Sequence, residues 1–351
     1  MQKTRRKKKT LKMAVLVAGL ALILAGCGAG SAPAAKGPSE RGAVAEVDAP
    51  LRAPEWAEDE GLVFAVREDG QELVMLDTGE SIDGTRDFPV TLSEDIEGAA
   101  GENLALERGR MPDKIYLPIP DRDRVIVAEN DDMLEVRSFG VGESPARIAL
   151  GGTTTGYNSQ TLYALSESGR TVTIVNLEHP NEVVAEAEVG TSEDTLIEAS
   201  GEDGFWLAGA EGVVLYEGSS LERRGELSLE AGSLAVDAAD PQRAYAGDST
   251  SGRVVAVEPG EGGELRTTAE AELETPAEYL AAEEGRLYAI TRDELVVLDP
   301  ESLETVETVE FGPLVAQEDL EQAEPSGMAV GGENVFVTLE GEPYVLLIEK
   351  P

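Results

Sequence analysis

One short pattern of apolar and polar positions recurs along the chain. An apolar pair that includes an aromatic residue opens a strand, a polar turn follows, and an alternating Val/Leu/Ile strand ends in an acidic residue or Asn. The opening aromatics of the seven copies are Phe64, Tyr116, Tyr163, Trp206, Tyr245, Tyr288 and Phe336. The closing strands are Leu73–Asp77, Val125–Glu129, Val172–Asn176, Val213–Glu217, Val254–Glu258, Leu295–Asp299 and Val345–Glu349. Successive aromatics lie 39 to 52 residues apart, and such a period with several short strands per copy predicts a β-propeller.

Further strand patterns flank each hairpin. Small and apolar segments, which we expect to form inner strands, are Asn103–Leu106, Ala146–Leu150, Thr195–Ala199, Ser233–Asp237, Glu278–Ala282 and Gly327–Val330. Strictly alternating segments, which are typical of half-buried strands at a rim, are Met133–Phe139, Val183–Val189, Arg224–Leu229, Thr267–Leu273 and Thr305–Phe311. Helical periodicity is nearly absent, and only Gln317–Ala323 is predicted to form one helical turn.

The two ends of the repeat region complement each other. The seventh copy stops at Lys350 and Pro351 without an outer strand, while the spare alternating segment Gly42–Asp48 precedes the first copy. We expect this segment to complete the last blade, because an open ring would leave an exposed sheet edge. The predicted fold is all-β: one seven-bladed propeller of four-stranded antiparallel blades over residues 42–351.

The best copies carry a family resemblance. Residues 161–176, continuing to 190, and residues 286–300, followed by 303–312, are similar to YVTN-type repeats, a branch of the WD40-like propellers. The resemblance runs from about residue 42 to the end, although the first, second and fourth copies follow the pattern less closely. It implies the fold and leaves the function open, because propellers carry many unrelated activities.

The N-terminal region has the three parts of a secretory signal. A basic segment at 3–12 precedes an apolar run at 13–24 and small residues before Cys27. The apolar run is shorter than the roughly 20 residues of a membrane-spanning helix. Leu24-Ala25-Gly26-Cys27 resembles the bacterial lipobox, which implies signal-peptidase recognition of Leu24, Ala25 and Gly26 and lipidation of Cys27.

This resemblance also sets the expected domain limits and location. Residues 1–26 are expected to be a lipoprotein signal peptide. Residues 27–41, rich in Gly, Ala, Pro and Ser, are expected to be a flexible tether. The mature protein is then anchored to the cell membrane through its lipid, on the extracytoplasmic side, which is the periplasm where the host has an outer membrane.

The charge of the chain narrows the choice of partners. Cleavage before Cys27 removes seven of the 28 basic residues and no acidic one, which changes the formal charge from −41 to −48. Such a field repels nucleic acid, so no nucleic-acid partner is expected. An apolar content of 41 % in alternating runs argues against disorder. Low Lys with excess acid also resembles proteins of salty or alkaline habitats, which offers a second explanation of the charge.

Few residues are available for chemistry. The single Cys is expected to be acylated, and the single His, His179, sits in a polar turn. These counts argue against thiol catalysis, a Ser-His-Asp triad and multi-histidine metal sites. No Gly-rich phosphate loop is followed by a helix, so no organic cofactor is expected.

Carboxylates are the abundant functional groups, and two arrangements could hold cations. Asp121 with Asp123, and Glu129 with Asp131 and Asp132, lie in turns and offer oxygen ligands for Ca²⁺, although without the spacing of a known calcium loop. Glu198, Asp237 and Glu283 fall at or near the ends of predicted inner strands. If those ends face the axial channel, the three carboxylates form an acidic ring that could bind a metal ion or a basic peptide.

The sequence is compatible with three classes of function: a binding scaffold, a hydrolase and an assembly factor. We expect a monomeric, non-enzymatic scaffold that binds a protein or surface ligand, with the acidic loops Ser93–Glu102 and Gln317–Pro325 contacting a basic partner. A metal-assisted hydrolase similar to the lactonases of this fold is the enzymatic alternative. An assembly factor resembling the propeller lipoprotein of the outer-membrane β-barrel machinery is the third.

A single substitution tests the predicted anchor. Cys27→Ser should move the protein from the membrane fraction to the soluble fraction without changing its melting temperature. The acyl chains, whose burial contributes roughly 0.8 kcal/mol per CH₂, are then absent. Fractionation followed by thermal melting checks both parts, and unchanged membrane retention of the variant would contradict lipidation at Cys27.

Overall fold

A computed structural model describes residues 41–57, 61–77, 90–107, 114–129, 133–151, 161–179, 183–189, 192–201, 204–218, 220–237, 239–317, 320 and 323–351. These residues form seven four-stranded antiparallel sheets arranged in a ring, which confirms the predicted seven-bladed β-propeller. Leu24, Ala25, Gly26 and Cys27, with the rest of the predicted signal and most of the tether, lie outside the described residues. Within the described part of the chain, no helix is long and apolar enough to cross a bilayer.

Each blade runs from an inner strand at the axis to an outer strand at the rim. The inner strands are β2 (Leu51–Ala57), β6 (Ala105–Glu107), β10 (Pro145–Gly151), β14 (Leu196–Ala199), β18 (Ala231–Val236), β22 (Tyr279–Glu283) and β26 (Pro325–Gly331). The second strands are β3 (Leu62–Arg67), β7 (Lys114–Ile119), β11 (Thr161–Ser166), β15 (Gly204–Gly209), β19 (Ala244–Asp248), β23 (Arg286–Ile290) and β27 (Asn334–Leu339).

The other two strands complete each sheet. The third strands are β4 (Glu72–Asp77), β8 (Arg124–Glu129), β12 (Thr171–Asn176), β16 (Gly212–Glu217), β20 (Arg253–Pro259), β24 (Glu294–Leu298) and β28 (Tyr344–Glu349). The outer strands are β5 (Val90–Asp95), β9 (Glu135–Gly140), β13 (Val183–Glu188), β17 (Arg223–Leu227), β21 (Leu265–Glu272), β25 (Thr305–Glu310) and, in blade 7, β1 (Gly42–Glu46).

The repeated residues have clear structural roles. The repeat aromatic lies in the second strand of each blade and is buried, for example Trp206 and Phe64 at 0 % exposure. In blades 3 and 6, the Asn or Asp residue at the end of the third strand shapes the turn that follows. The Asp299 carboxylate accepts hydrogen bonds from the main-chain nitrogens of Glu301 and Ser302 at 3.1 and 2.9 Å. Asn176 does the same for Glu178 at 2.8 Å, so the repeat encodes both core and turn.

The N-terminal strand closes the ring as predicted. β1 pairs antiparallel with β28, with Gly42 opposite Ile348 and Glu46 opposite Tyr344. Its first neighbour, Arg41, forms an ion pair with Glu307 on the outer strand of blade 6. Blade 7 is therefore built from both ends of the repeat region, and its third strand has no open edge.

Neighbouring inner strands are joined by side-chain-to-main-chain hydrogen bonds. The Arg52 Nη2 donates to the Ala100 carbonyl at 3.0 Å, and the Asn103 Nδ2 donates to the Ile148 carbonyl at 2.8 Å. Equivalent bonds run from Arg147 to Thr195 at 2.7 Å, from Ser233 to Ala277 at 2.8 Å and from Ser326 to Leu51 at 2.9 Å. Each bond satisfies a carbonyl near the axis and fixes the position of the next blade.

Two expectations from the sequence agree with the structure only in part. The helix among the described residues is α1 (Gly312–Gln317), and of the predicted turn Gln317–Ala323 only Gln317, Leu320 and Ala323 belong to the described part of the chain. Pro313 suits the first turn of a helix, and the buried Leu314 and Val315 pack it against the sheet. The predicted loop Ser93–Glu102 begins later, because Ser93 still belongs to β5.

Two truncations of the full chain test ring closure. Deletion of residues 28–48 removes β1 and should lower the melting temperature by roughly 6 to 10 °C, since about 3 to 5 kcal/mol are lost at about 2 °C per kcal/mol. Deletion of residues 28–40 leaves β1 intact and should leave the melting temperature unchanged. Equal effects of the two deletions would contradict the closing role of β1.

Candidate functional site

The inner strands of all seven blades surround an axial channel that contains a cavity of about 690 Å³. Each inner strand is the first strand of its blade in the described sheets, so all seven run in the same direction along the axis. We call the face where they begin the start face and the opposite face the end face.

The lining of the channel is strongly acidic. The described residues that line the cavity include seven carboxylates and a single basic side chain, Arg147. The carboxylates are Glu55, Glu102, Asp194, Glu198, Glu230, Glu278 and Glu283. A narrow space with walls of one sign concentrates its potential, so the channel attracts cations.

At the start face, Arg147 is already committed to protein partners. Its guanidinium forms an ion pair with Glu102 and donates to the Thr195 carbonyl at 2.7 Å and to the Glu193 carbonyl at 3.2 Å. Tyr279 enters the mouth from blade 6, and loss of hydration raises the pKa of its hydroxyl, with the charge of Glu278 adding to the effect and that of Arg147 opposing it. Because the charge of Arg147 is already balanced by Glu102, the other carboxylates give the mouth a net negative charge.

Glu278 lies at the same mouth in a crowd of carboxylates. Loss of hydration raises the pKa of Glu278, and the charges of Glu324 and Glu340 raise it further, while Arg292 opposes them. A positively charged group placed here would relieve this repulsion.

A second acidic level lies nearer the end face. The residue of the inner strand that pairs with the repeat aromatic is Ala in five blades and Glu in two. Glu55 pairs with Phe64 in blade 1, and Glu198 pairs with Trp206 in blade 4. The alanines are Ala105, Ala149, Ala235, Ala281 and Ala329. Since blades 1 and 4 are three blades apart in a ring of seven, the two carboxylates face each other across the channel.

The Glu198 carboxylate is in an unusual electrostatic state. Protein surrounds it and removes much of its hydration, although water in the channel still reaches the side chain. This loss of hydration, with the charge of Glu55 adding to it, raises the pKa of Glu198 to about 8. Among the described residues, Glu198 has no hydrogen bond or ion pair.

The residues predicted as an acidic ring are divided by the structure. Glu198 and Glu283 line the cavity, but Asp237 follows β18 and is not part of the lining. The Asp237 carboxylate accepts hydrogen bonds from the Ala239 nitrogen at 2.8 Å and the Tyr245 hydroxyl at 3.2 Å, so it shapes a turn. Glu55 was missed in the sequence because its strand was not recognised there.

The other predicted candidates lie away from the channel. Asp121 is exposed in a 3₁₀ turn, and Asp123 accepts a hydrogen bond from the Ser144 nitrogen at 2.8 Å. Asp131 and Asp132 lie outside the described residues. No three His, Cys, Asp or Glu side chains of the described chain converge as a metal-binding group. His179 is exposed in the turn after β12, as expected.

Blade 2 holds a further group of titratable side chains. Glu107, at 2 % exposure, accepts a hydrogen bond from the Tyr116 hydroxyl at 2.9 Å, and Arg137 donates to that hydroxyl at 3.2 Å. Lys114 lies 3.5 Å from the same carboxylate. Since these charges pair with one another, we interpret the group as part of the core of the blade.

Removal of the Glu198 charge should stabilise the protein at high pH. The pKa of Glu198 is higher in the folded than in the unfolded chain. Wild type should therefore lose stability relative to Glu198→Gln between about pH 4.5 and pH 8. Because channel water screens the carboxylate, we expect a difference on the order of 1 kcal/mol at pH 9, which vanishes near pH 4.

Urea unfolding of both proteins across this pH range measures the difference. Glu188→Gln, on the exposed face of outer strand β13, removes the same charge outside the channel and should change stability by less than about 0.5 kcal/mol at every pH. If the difference in free energy of unfolding between wild type and Glu198→Gln is the same from pH 4 to pH 9, folding does not raise the pKa of Glu198.

Comparison with known proteins adds no closer assignment. No protein-family model matches the chain, and no curated protein is significantly similar to it. The propeller fold rests on the strand topology described above, and the similarity to YVTN-type repeats stays a prediction from the sequence.

Proposed function

We propose that this protein is a lipid-anchored, extracytoplasmic binding scaffold that holds a basic ligand at its axial channel. The observation that carries this proposal is the cavity of about 690 Å³, whose lining contributes seven carboxylates and one neutralised arginine. The anchor and the location rest on the sequence from Lys3 to Cys27 and remain predictions.

Electrostatics favour a positively charged ligand. Additional carboxylates, Glu324 and Glu340, stand close enough to the start-face mouth to raise the pKa of Glu278. A cationic group at this mouth gains attraction from several acids at once, and the low-dielectric walls keep the field from being fully screened. A basic peptide or an exposed Lys or Arg side chain of a partner protein has this chemistry.

The rigidity of the frame also suits a binding role. Inner strands are joined directly to one another by hydrogen bonds, so the channel walls keep their positions without a ligand. A preformed site avoids part of the ordering cost of association. Binding to such a site should therefore need little rearrangement of the ring.

A charged peptide probe tests the proposal. The full chain in detergent should bind octalysine, with an affinity that falls at least tenfold when NaCl is raised from about 0.05 to 0.5 M, because the attraction is electrostatic. Glu230→Gln/Glu278→Gln, which removes two mouth charges, should weaken binding several-fold. Isothermal calorimetry measures both effects.

The control removes the same charge from the rim. Glu188→Gln/Glu272→Gln changes two exposed residues of outer strands and should bind octalysine like wild type. Equal weakening by both double variants would place binding on the general surface and contradict a channel site. Enzyme-like hydrolysis of lactones that is abolished by Glu198→Gln would replace the scaffold with the hydrolase alternative.

A further inference from the structure

The channel has a layered lining that can be followed along its axis. Glu55 and Glu198 face each other at the level of the repeat aromatics. One residue nearer the start face, the lining turns apolar with Leu104, Ile197, Leu234, Leu280 and Met328, and the first four present only their edges to the channel because they are 1–8 % exposed. The next residue toward the start face is polar in blades 2, 3, 5 and 6, where it is Asn103, Arg147, Ser233 and Tyr279. Beyond these side chains stand the mouth carboxylates Glu102, Asp194, Glu230 and Glu278. The order along the axis is therefore acidic, apolar, polar and acidic.

From this order we infer that the channel binds a linear aliphatic polyamine along its axis, with one terminal ammonium between Glu55 and Glu198 and the other at the mouth. The inference deepens the proposed function, on which it rests for the sign of the ligand charge. The methylene chain would contact the apolar level, and the two ammonium groups would lie at the two acidic levels.

The spacing of the levels sets the length of the ligand. Along β22, Ala281 marks the level of Glu198 and Glu278 marks the mouth, three residues away. At about 3.3 Å per residue, the two levels are about 10 Å apart. An extended chain of seven or eight carbons between two nitrogens spans about 10 to 11 Å and matches this distance, whereas a four-carbon chain spans only about 6 Å.

Glu198 supplies a further argument for a cationic ligand. Five blades fill this level with Ala, so packing does not require a longer side chain there. Within the described chain, Glu198 nevertheless points a carboxylate without hydrogen bond or ion pair into the channel. An ammonium group carries three N–H donors and a positive charge, so it would give Glu198 both a hydrogen bond and an ion pair.

The same geometry favours an amine over a metal ion. Calcium takes six to eight oxygen ligands, whereas this level offers two carboxylates among alanines in the described part of the ring. Groups of three potential metal ligands are absent from the described residues. The apolar level beside the two glutamates offers no ligand atoms to a metal ion, but it can pack against a methylene chain.

Proton release should accompany binding. Glu55 across the channel is the charged group whose field acts on Glu198. The inner strands packed on either side of β14 carry Arg147, on β10, and Glu230 and Asp237, at the two ends of β18, and Glu283 lines the same cavity from β22. With the pKa of Glu198 at about 8, its carboxylate is mostly protonated at pH 7 and mostly ionised at pH 9. Affinity for a diamine should therefore rise roughly tenfold between these pH values, while amines with a pKa near 10 stay protonated.

Calorimetry with two diamines of equal charge tests the inference on the full chain in detergent. Octamethylenediamine should bind at least tenfold more tightly than tetramethylenediamine, because only the longer chain reaches both acidic levels. The tenfold rise from pH 7 to pH 9 should be lost in Glu198→Gln, which retains its fold. Glu188→Gln should keep both the length preference and the pH dependence.

Four results would overturn the inference. Equal affinity for the two diamines, or an unchanged pH dependence in Glu198→Gln, would assign their binding to the outer acidic surface. Competition by Na⁺ or K⁺ at the diamine's own concentration would assign the Glu55–Glu198 level to an inorganic cation. Loss of diamine binding with salt-sensitive octalysine binding intact would remove this inference and leave the proposed scaffold function standing.

Discussion

Closure of the ring between blade 7 and blade 1 is the constraint on which the channel depends, because seven separate sheets keep a common axis only if every seam is packed. Trp56 of blade 1 stacks on Phe336 of blade 7 with ring centroids 5.5 Å apart. Gly331 makes room for this indole, since a Cβ there would lie 1.9 Å from the Trp56 Cγ. β1 then covers the outer side of blade 7. One seam thus fixes the last blade against the first at both the axis and the rim.

The inner strands combine this structural duty with the lining of the channel. One position of the inner strand pairs with the residue two after the repeat aromatic. At this position Arg52, Arg147 and Ser233 donate hydrogen bonds to main-chain carbonyls of the next blade. Two residues further along, opposite the aromatic itself, most blades place Ala, which leaves space in the channel. Because the ties hold the backbone, the second position is free to vary without loss of the ring. Glu55 and Glu198 occur at this freer position.

The sequence predicted what the repeat encodes and missed what departs from it. The seven aromatics, the closing strands and the strand Gly42–Glu46 follow a fixed pattern of burial and were found. The inner strand of blade 1 was not, because Ala53 at φ 50° and Pro54 form a bulge that breaks the alternation. Glu55 lies directly after this bulge, so its partnership with Glu198 stayed hidden. Alignment of each inner strand on its repeat aromatic is the signal that would have revealed Glu55 and placed it at the level of Glu198.

Glu198 is best explained by function, since its carboxylate works against stability. A propeller of this kind builds the same level from Ala five times, and Ala there brings neither a desolvated charge nor repulsion across the channel. Loss of hydration, with the charge of Glu55 adding to it, raises the pKa of Glu198, so the ring loses stability when this carboxylate ionises. Sites where a chain breaks its own structural rule at a cost in stability are typically binding or catalytic sites. The blade 2 group around Glu107 differs from Glu198, because its charges are paired within the protein.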